Sequence, residues 1–127
     1  MVQKYLGLQH EYGFVDCIEI IRNFYEHELE IDFPLPSYSK SAKWMKEFSP
    51  ESIDEWASKC AVKVNLTDAQ DYDVIAFKSK KLITHFGMFL RPTKMLHIEE
   101  GRASRIETLS SYWVDNIHAI YRHEKMV

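Results

Sequence analysis

The first strong periodic signal in the chain begins at Cys17. Ile20, Ile21, Phe24 and Tyr25, with Leu29 beyond, recur at helical spacing, while Glu19, Arg22, Asn23 and Glu26 hold the opposite face. Asp16 stands where an N-cap residue accepts free backbone N–H groups, which puts Cys17 at the first helical position. Ahead of this helix, residues 5–16 carry Gly7, Gln9, His10 and Gly13 without a period and read as a loop with tight turns. Behind it, Pro34 and Pro36 make residues 31–36 an extended connector. A second helical region covers residues 40–59. Within it Ser49-Pro50 reads as an N-cap followed by proline at the first helical position, so the region divides into two short helices. Ile53, Trp56, Ala57 and Cys60 supply the apolar face of the later one.

From Ala61 onward the texture is that of strands. Apolar and β-branched runs occupy residues 62–64, 74–77, 83–90, 95–98 and 104–109, and 117–122 is a last candidate behind a polar turn at residues 110–116. Arg91-Pro92-Thr93 reads as the turn between the third and fourth runs. Helices first and strands later predict an α+β domain spanning residues 1–127, with N-terminal helices packed on a mostly antiparallel sheet of about five strands.

Composition narrows the function classes. The 127 residues carry 16 Lys+Arg against 19 Asp+Glu, a net charge of −3, and this gives no basic stripe of the kind nucleic-acid binding requires. No apolar run approaches the roughly 18 residues of a membrane span, and the N-terminus lacks the apolar core of a secretory signal. Synthesis in a cytoplasm without export by its own signal is the expectation. Cys17 and Cys60 make no disulfide framework and are expected to be thiols.

These cysteines differ in setting. Cys60 closes an amphipathic stretch and reads as a small hydrophobe. Cys17 opens a helix, where unpaired N–H groups and the helix dipole stabilise an anion and can draw a thiol below its free pKa of about 8.5. His85 and His97 lie on consecutive strand candidates, and parity links them. An odd-numbered loop at residues 91–93 pairs residue 90 with 94 and faces 87 with 97, so that His85 lies diagonal to His97 on one side of the sheet. An even-numbered loop separates them. A helix-start cysteine is often inert and a strand histidine often only a half-buried hydrogen bonder, so the combination carries the signal rather than either part. Zinc is the competing use of Cys17, His85 and His97, but the chain holds neither a Cys-x-x-Cys pair nor a His-Glu-x-x-His helix. No metal or other cofactor is expected.

These residues resemble the NlpC/p60 family of cell-wall peptidases, which have a papain-like fold. Asp16-Cys17 is similar to the family's Asp-Cys nucleophile motif, and Gly7-Leu8-Gln9-His10-Glu11-Tyr12-Gly13 to its preceding Gly-x-Pro-Tyr-x-Tyr-Gly loop. Asp71-Tyr72-Asp73-Val74-Ile75-Ala76-Phe77 resembles its Pro-Gly-Asp-Leu-x-x-Phe strand. Thr84-His85-Phe86-Gly87-Met88-Phe89-Leu90 resembles its Ser-His-Val-Gly-Ile-Tyr-Leu strand, and Met95-Leu96-His97-Ile98 the strand carrying a third polar residue. The ending, Tyr112-Trp113 through Ile120-Tyr121-Arg122, looks like versions from tailed-phage tail tips. The chain departs from the pattern at His10, which aligns with a tyrosine, at Ile18-Glu19, which stands for Ser-Gly, and at Tyr72, which replaces a glycine.

The resemblance implies a thiol peptidase with a Cys17–His85–His97 triad. Cys17 as thiolate attacks an amide carbonyl, His85 holds the ion pair and protonates the departing amine, and His97 fixes the ring of His85. His10, Tyr12 and Asp16 fall on the substrate-binding and oxyanion side. It also implies a peptidoglycan stem peptide as substrate, cut at a γ-D-glutamyl–diamino acid bond, and a virion-borne tail protein with other tail proteins as partners. Two alternatives stay open at this stage. One is a tail-assembly or structural subunit that cuts nothing; the other is a deamidase or acyltransferase using the same Cys-His chemistry.

Overall fold

The structure, a computed structural model, describes residues 1–12, 14–33 and 48–127. The expected turn at Gly13, the Pro34–Pro36 connector and the first of the two short helices lie outside the described residues. Helix α1 spans Cys17–Phe24. It starts where the sequence places the cap: one oxygen of Asp16 accepts from Ile18 N–H at 3.0 Å and Glu19 N–H at 2.8 Å, satisfying donors with no helical partner. Ile18, Ile20, Ile21 and Phe24 are buried. The helix widens into a π-turn over Tyr25–Leu29 and stops at Glu30, whose φ of 55° is left-handed. Helix α2, Pro50–Ala57, opens as expected, with the Ser49 hydroxyl accepting from Ser52 N–H at 3.2 Å.

The strands are β1 Ala61–Val64, β2 Val74–Ser79, β3 Leu82–Leu90, β4 Lys94–His97, β5 Arg105–Thr108 and β6 Ile117–His123. They form one sheet in the order β1-β6-β2-β3-β4-β5, with every neighbouring pair antiparallel. Each of the six strands falls on one of the six candidate runs, and the short, half-exposed β1 pairs with the C-terminal β6 at one edge. The α+β architecture is as the sequence predicts. Residues 110–116 are not a plain turn: Ser111–Asp115 form a short helix, α3, which delivers Trp113 onto the sheet.

Two apolar layers explain why β2 and β3 read as near-continuous hydrophobic runs. On one face α1 packs with Phe24, Ile18 and Ile21 against Val74, Ala76, Phe86 and Met88. On the other, Ile75, Phe77, Phe89, Met95, Trp113 and Ile120 form a smaller cluster. Alternation along β2 and β3 feeds both layers, so neither face is left to water.

A buried ion pair ties two strands together. Asp73, at the mouth of β2, is 0% exposed and takes a two-pronged ion pair from Arg122 of β6, with Nε 3.0 Å from one oxygen and Nη2 2.8 Å from the other. Gln70 N–H adds a third bond at 2.9 Å. Removing the guanidinium strands a carboxylate in the interior. Arg122→Ala is therefore expected to cost about 3–5 kcal/mol of stability, read as a lowered urea midpoint at unchanged slope; a loss below 1 kcal/mol would refute this role for the pair.

Candidate active site

Asp16 capping fixes Cys17 as the first residue of α1, and its side chain points to the sheet rather than to open solvent, with 3% of the residue exposed. The thiol meets the N–H groups of Phe86, Cys17 and Ile18. It also lines a cleft of about 450 Å³ whose walls include His10, Tyr12, His85, Glu99, Glu100 and Trp113.

His85 reaches the same cleft from β3. The hairpin register pairs Leu90 with Lys94, Phe89 with Met95 and Met88 with Leu96, as the three-residue loop requires, and the same register carried one step further sets Gly87 opposite His97. The diagonal contact follows: His85 Nε2 lies 2.9 Å from His97 Nδ1. Gly87 has no room for a side chain, since a Cβ there would sit 2.6 Å from the Met95 sulfur. Aromatic rings hold the imidazole plane, with Phe77 stacked at 5.8 Å and Trp113 tilted at 5.5 Å between centroids.

The chain of contacts does not end at His97. Its Nε2 is 3.0 Å from Glu107 Oε1 on β5. Trp113 Nε1–H donates to the other Glu107 oxygen at 2.7 Å, and Arg105 donates to Oε1 at 2.7 and 3.1 Å. The sequence reading missed Glu107, Arg105 and Trp113. Parity was the available signal, because β5 pairs Met95 with Glu107 and His97 with Arg105, which puts odd-numbered residues of both strands on one face.

The loop residues have different positions. His10 and Tyr12 line the cleft, their rings edge to face at 4.5 Å, and the Tyr12 hydroxyl donates to Glu100 at 2.7 Å. Burial, then that bond to Glu100, raises the Tyr12 hydroxyl to about 12, so it is a donor at neutral pH. Asp16 is buried and spends a carboxylate oxygen on the helix cap. It is not part of the cleft wall.

Electrostatics corrects the expectation of a resting thiolate. Burial, then the adjacent Asp16 carboxylate, pushes the Cys17 thiol well above its ordinary value, outweighing the lowering by three N–H groups. Burial, followed by His97 and Arg105, pulls His85 down to about 3. His97 is also lowered, chiefly by burial. Glu107 goes the other way: burial raises it, but the bonds from Trp113, His97 and Arg105 prevail and hold it at about 2. These shifts all favour a neutral thiol and neutral imidazoles backed by a carboxylate. Ligand atoms of His97, Glu99 and Glu107 lie within 4.8 Å of one another, a spacing that suits a metal ion. The Arg105 guanidinium already bonds both of those carboxylates, and a cation therefore has its place there filled.

The NlpC/P60 family model matches residues 4–122, nearly the whole chain, including every residue of this site. The chain belongs to the NlpC/P60 family. A solved structure with the same fold is a Staphylococcus aureus subsp. aureus Mu50 protein described as similar to lipoprotein, NLP/P60 family. The TM-score is 0.63 at 21% identity, covering 96% of this chain and 38% of that one, so the present chain spans well under half of that protein. No curated protein sequence matches the chain. NlpC/P60 proteins are generally cysteine peptidases. The structure also accounts for two departures from the NlpC/P60 pattern. Ile18 is fully buried in the α1 core, and Tyr72 keeps a glycine-like φ of 79° while its ring packs 5.0 Å from Phe24.

Two outcomes follow from the charge states. A neutral buried thiol predicts slow iodoacetamide labelling of Cys17 at pH 7, rising steadily above pH 9; a fast rate constant from pH 5 to 8 would reveal an ion pair instead. His85 and His97 hold protons less readily folded than at the ordinary 6.5, so their contribution to stability is full above that pH and is lost as pH falls below it. Glu107 adds the same sign of effect between 4.5 and about 2. Melting temperature should therefore fall progressively from pH 6.5 to pH 4, and less steeply in His85→Gln.

Proposed function

We propose that the chain is a cysteine endopeptidase cutting peptidoglycan stem peptides at a γ-D-glutamyl–diamino acid bond, carried in a phage tail where it helps penetrate the wall. One observation carries the catalytic part: an α1-start cysteine and a histidine bonded to a second histidine line the same cleft. Lys78, Glu99 and Glu100 also line it, giving charged partners of both signs for a peptide rich in ammonium and carboxylate groups. The tail location rests on the resemblance of the C-terminal segment to tail-tip versions. No helix among the described residues is long and apolar enough to cross a membrane, and the partners proposed are the wall peptide and neighbouring tail proteins rather than nucleic acid.

In this mechanism His85 takes the Cys17 proton as the sulfur attacks the scissile carbonyl carbon, so the thiolate forms only as it is used. The carbonyl oxygen becomes an oxyanion facing the Cys17 amide at the α1 start, with His10 or Tyr12 as a side-chain donor. Asp16 has no proton to offer there as a carboxylate; its part is to cap the helix that presents that amide. The C–N bond breaks, the proton passes from His85 to the departing amine, and a thioester remains. Water, deprotonated by His85, then hydrolyses the thioester and restores the thiol. His97 keeps the His85 ring in register throughout.

A second reading, a subunit on the same fold that cuts nothing, draws on one observation: Cys17 is 3% exposed and its thiol is held neutral. Incubation with purified walls separates the readings. Cys17→Ala should abolish release of fragments with its circular dichroism unchanged, and mass spectrometry should show new γ-D-glutamyl carboxyl and diamino-acid amine ends. His85→Ala should lose more rate than His97→Ala. No release by the wild type favours the non-cutting subunit, and undiminished release by the Cys17 variant removes Cys17 as the nucleophile.

A further inference from the structure

We propose that Glu107 is a positioning residue that sets the ring tautomers of both His97 and His85, so that a carboxylate two bonds away leaves His85 with its lone pair on the nitrogen turned from His97. The part this plays in catalysis rests on the peptidase reading above; the tautomers themselves do not.

The argument is one of donors and acceptors. Glu107 receives Arg105 and His97 on Oε1 and Trp113 on Oε2. Neither Arg105 nor the indole can accept, so both carboxylate oxygens act as acceptors only. His97 Nε2, 3.0 Å from Oε1, must then carry a proton. A neutral imidazole has one N–H, and His97, fully buried at 0% exposure, is disfavoured as a cation. Its Nδ1 is therefore a lone pair. His85 Nε2, 2.9 Å from that lone pair, must be the donor of the pair. The proton of neutral His85 is thereby fixed on Nε2, and Nδ1 is left as the basic nitrogen. Each ring transmits the constraint because each has one donor and one acceptor.

The clamp that holds Glu107 is built from elements on either side of it. Arg105 shares its strand and also bonds Glu99 at the end of β4, while Trp113 comes from α3 and packs against both imidazoles at 5.2 and 5.5 Å. A carboxylate at this place also does what a neutral third residue cannot. When His85 takes a proton, the bond chain brings the negative charge of Glu107 to bear on the imidazolium through His97.

Glu107→Leu tests the inference because it removes both acceptors. His97 Nε2 is then left with no acceptor and with the Arg105 guanidinium nearby, which favours a lone pair there: Nδ1 becomes the donor, and His85 is left protonated on Nδ1. Two-bond ¹⁵N–¹H spectra of histidine-labelled protein at pH 7.5, without substrate, should show both rings as Nε2–H in the wild type. In Glu107→Leu a His85 Nδ1–H signal should appear, and kcat for wall cleavage should fall at least about tenfold with KM little changed. Glu107→Asp, which keeps both acceptors, should retain the wild-type tautomers. His85 protonated on Nδ1 in the wild type overturns the proposal, as do unchanged tautomers in Glu107→Leu. A wild type that cuts no wall yet shows the expected tautomers removes the peptidase reading and leaves this inference standing.

Discussion

The register of the β3–β4 hairpin governs the site more than any other constraint. Three residues separate Leu90 from Lys94, and that odd number decides that His85 and His97 share a face and meet at 2.9 Å. Side chains alternate strictly along strands, so a slip of one residue would turn His97 away from His85 and break the chain of bonds behind it. The same alternation continues into β5, where Met95 opposite Glu107 and His97 opposite Arg105 bring a carboxylate and a guanidinium to the back of the pair. Packing then locks the register: Gly87 yields its side-chain space to Met95, and Phe77 and Trp113 close over the rings.

Burial gives this network its character. Burial makes a lone charge costly and favours the neutral thiol and imidazoles, while the half-buried Glu107 keeps its charge among the donors around it. Asp73 follows the same rule at the far side of the sheet, with Arg122 answering its charge in two bonds. The two sites differ in purpose of placement. Asp73 ties β6 to the start of β2, whereas Glu107 lies behind rings that open on the cleft.

Membership of the NlpC/P60 family and the observed geometry bear on each other through the residues that deviate. Ile18 and Tyr72 look like losses when compared with the family pattern alone. In three dimensions Ile18 completes the face of α1 that packs on the sheet, and Tyr72 adopts the backbone that the replaced glycine would have taken while adding a ring contact with Phe24. Neither touches the His85–His97–Glu107 line.

The sequence by itself determined the start of α1, the α+β order of elements and the strands that carry the histidines, because caps, periodicity and turn length are local properties of a chain. It also determined that His85 and His97 would meet once the loop between them was odd. It could not give the order of the strands, since the pairing of β1 with β6 joins segments more than fifty residues apart in sequence, and it read α3 as a turn because five residues hold too little periodicity to distinguish the two. The charge state of Cys17 ran opposite to the local reading. A helix N-terminus favours a thiolate, but the sheet that buries the sulfur and the carboxylate beside it disfavour one more strongly, and burial is a property of the whole fold. Glu107 was missed for a related reason: parity puts it on the face of His97 only once β4 is known to pair with β5.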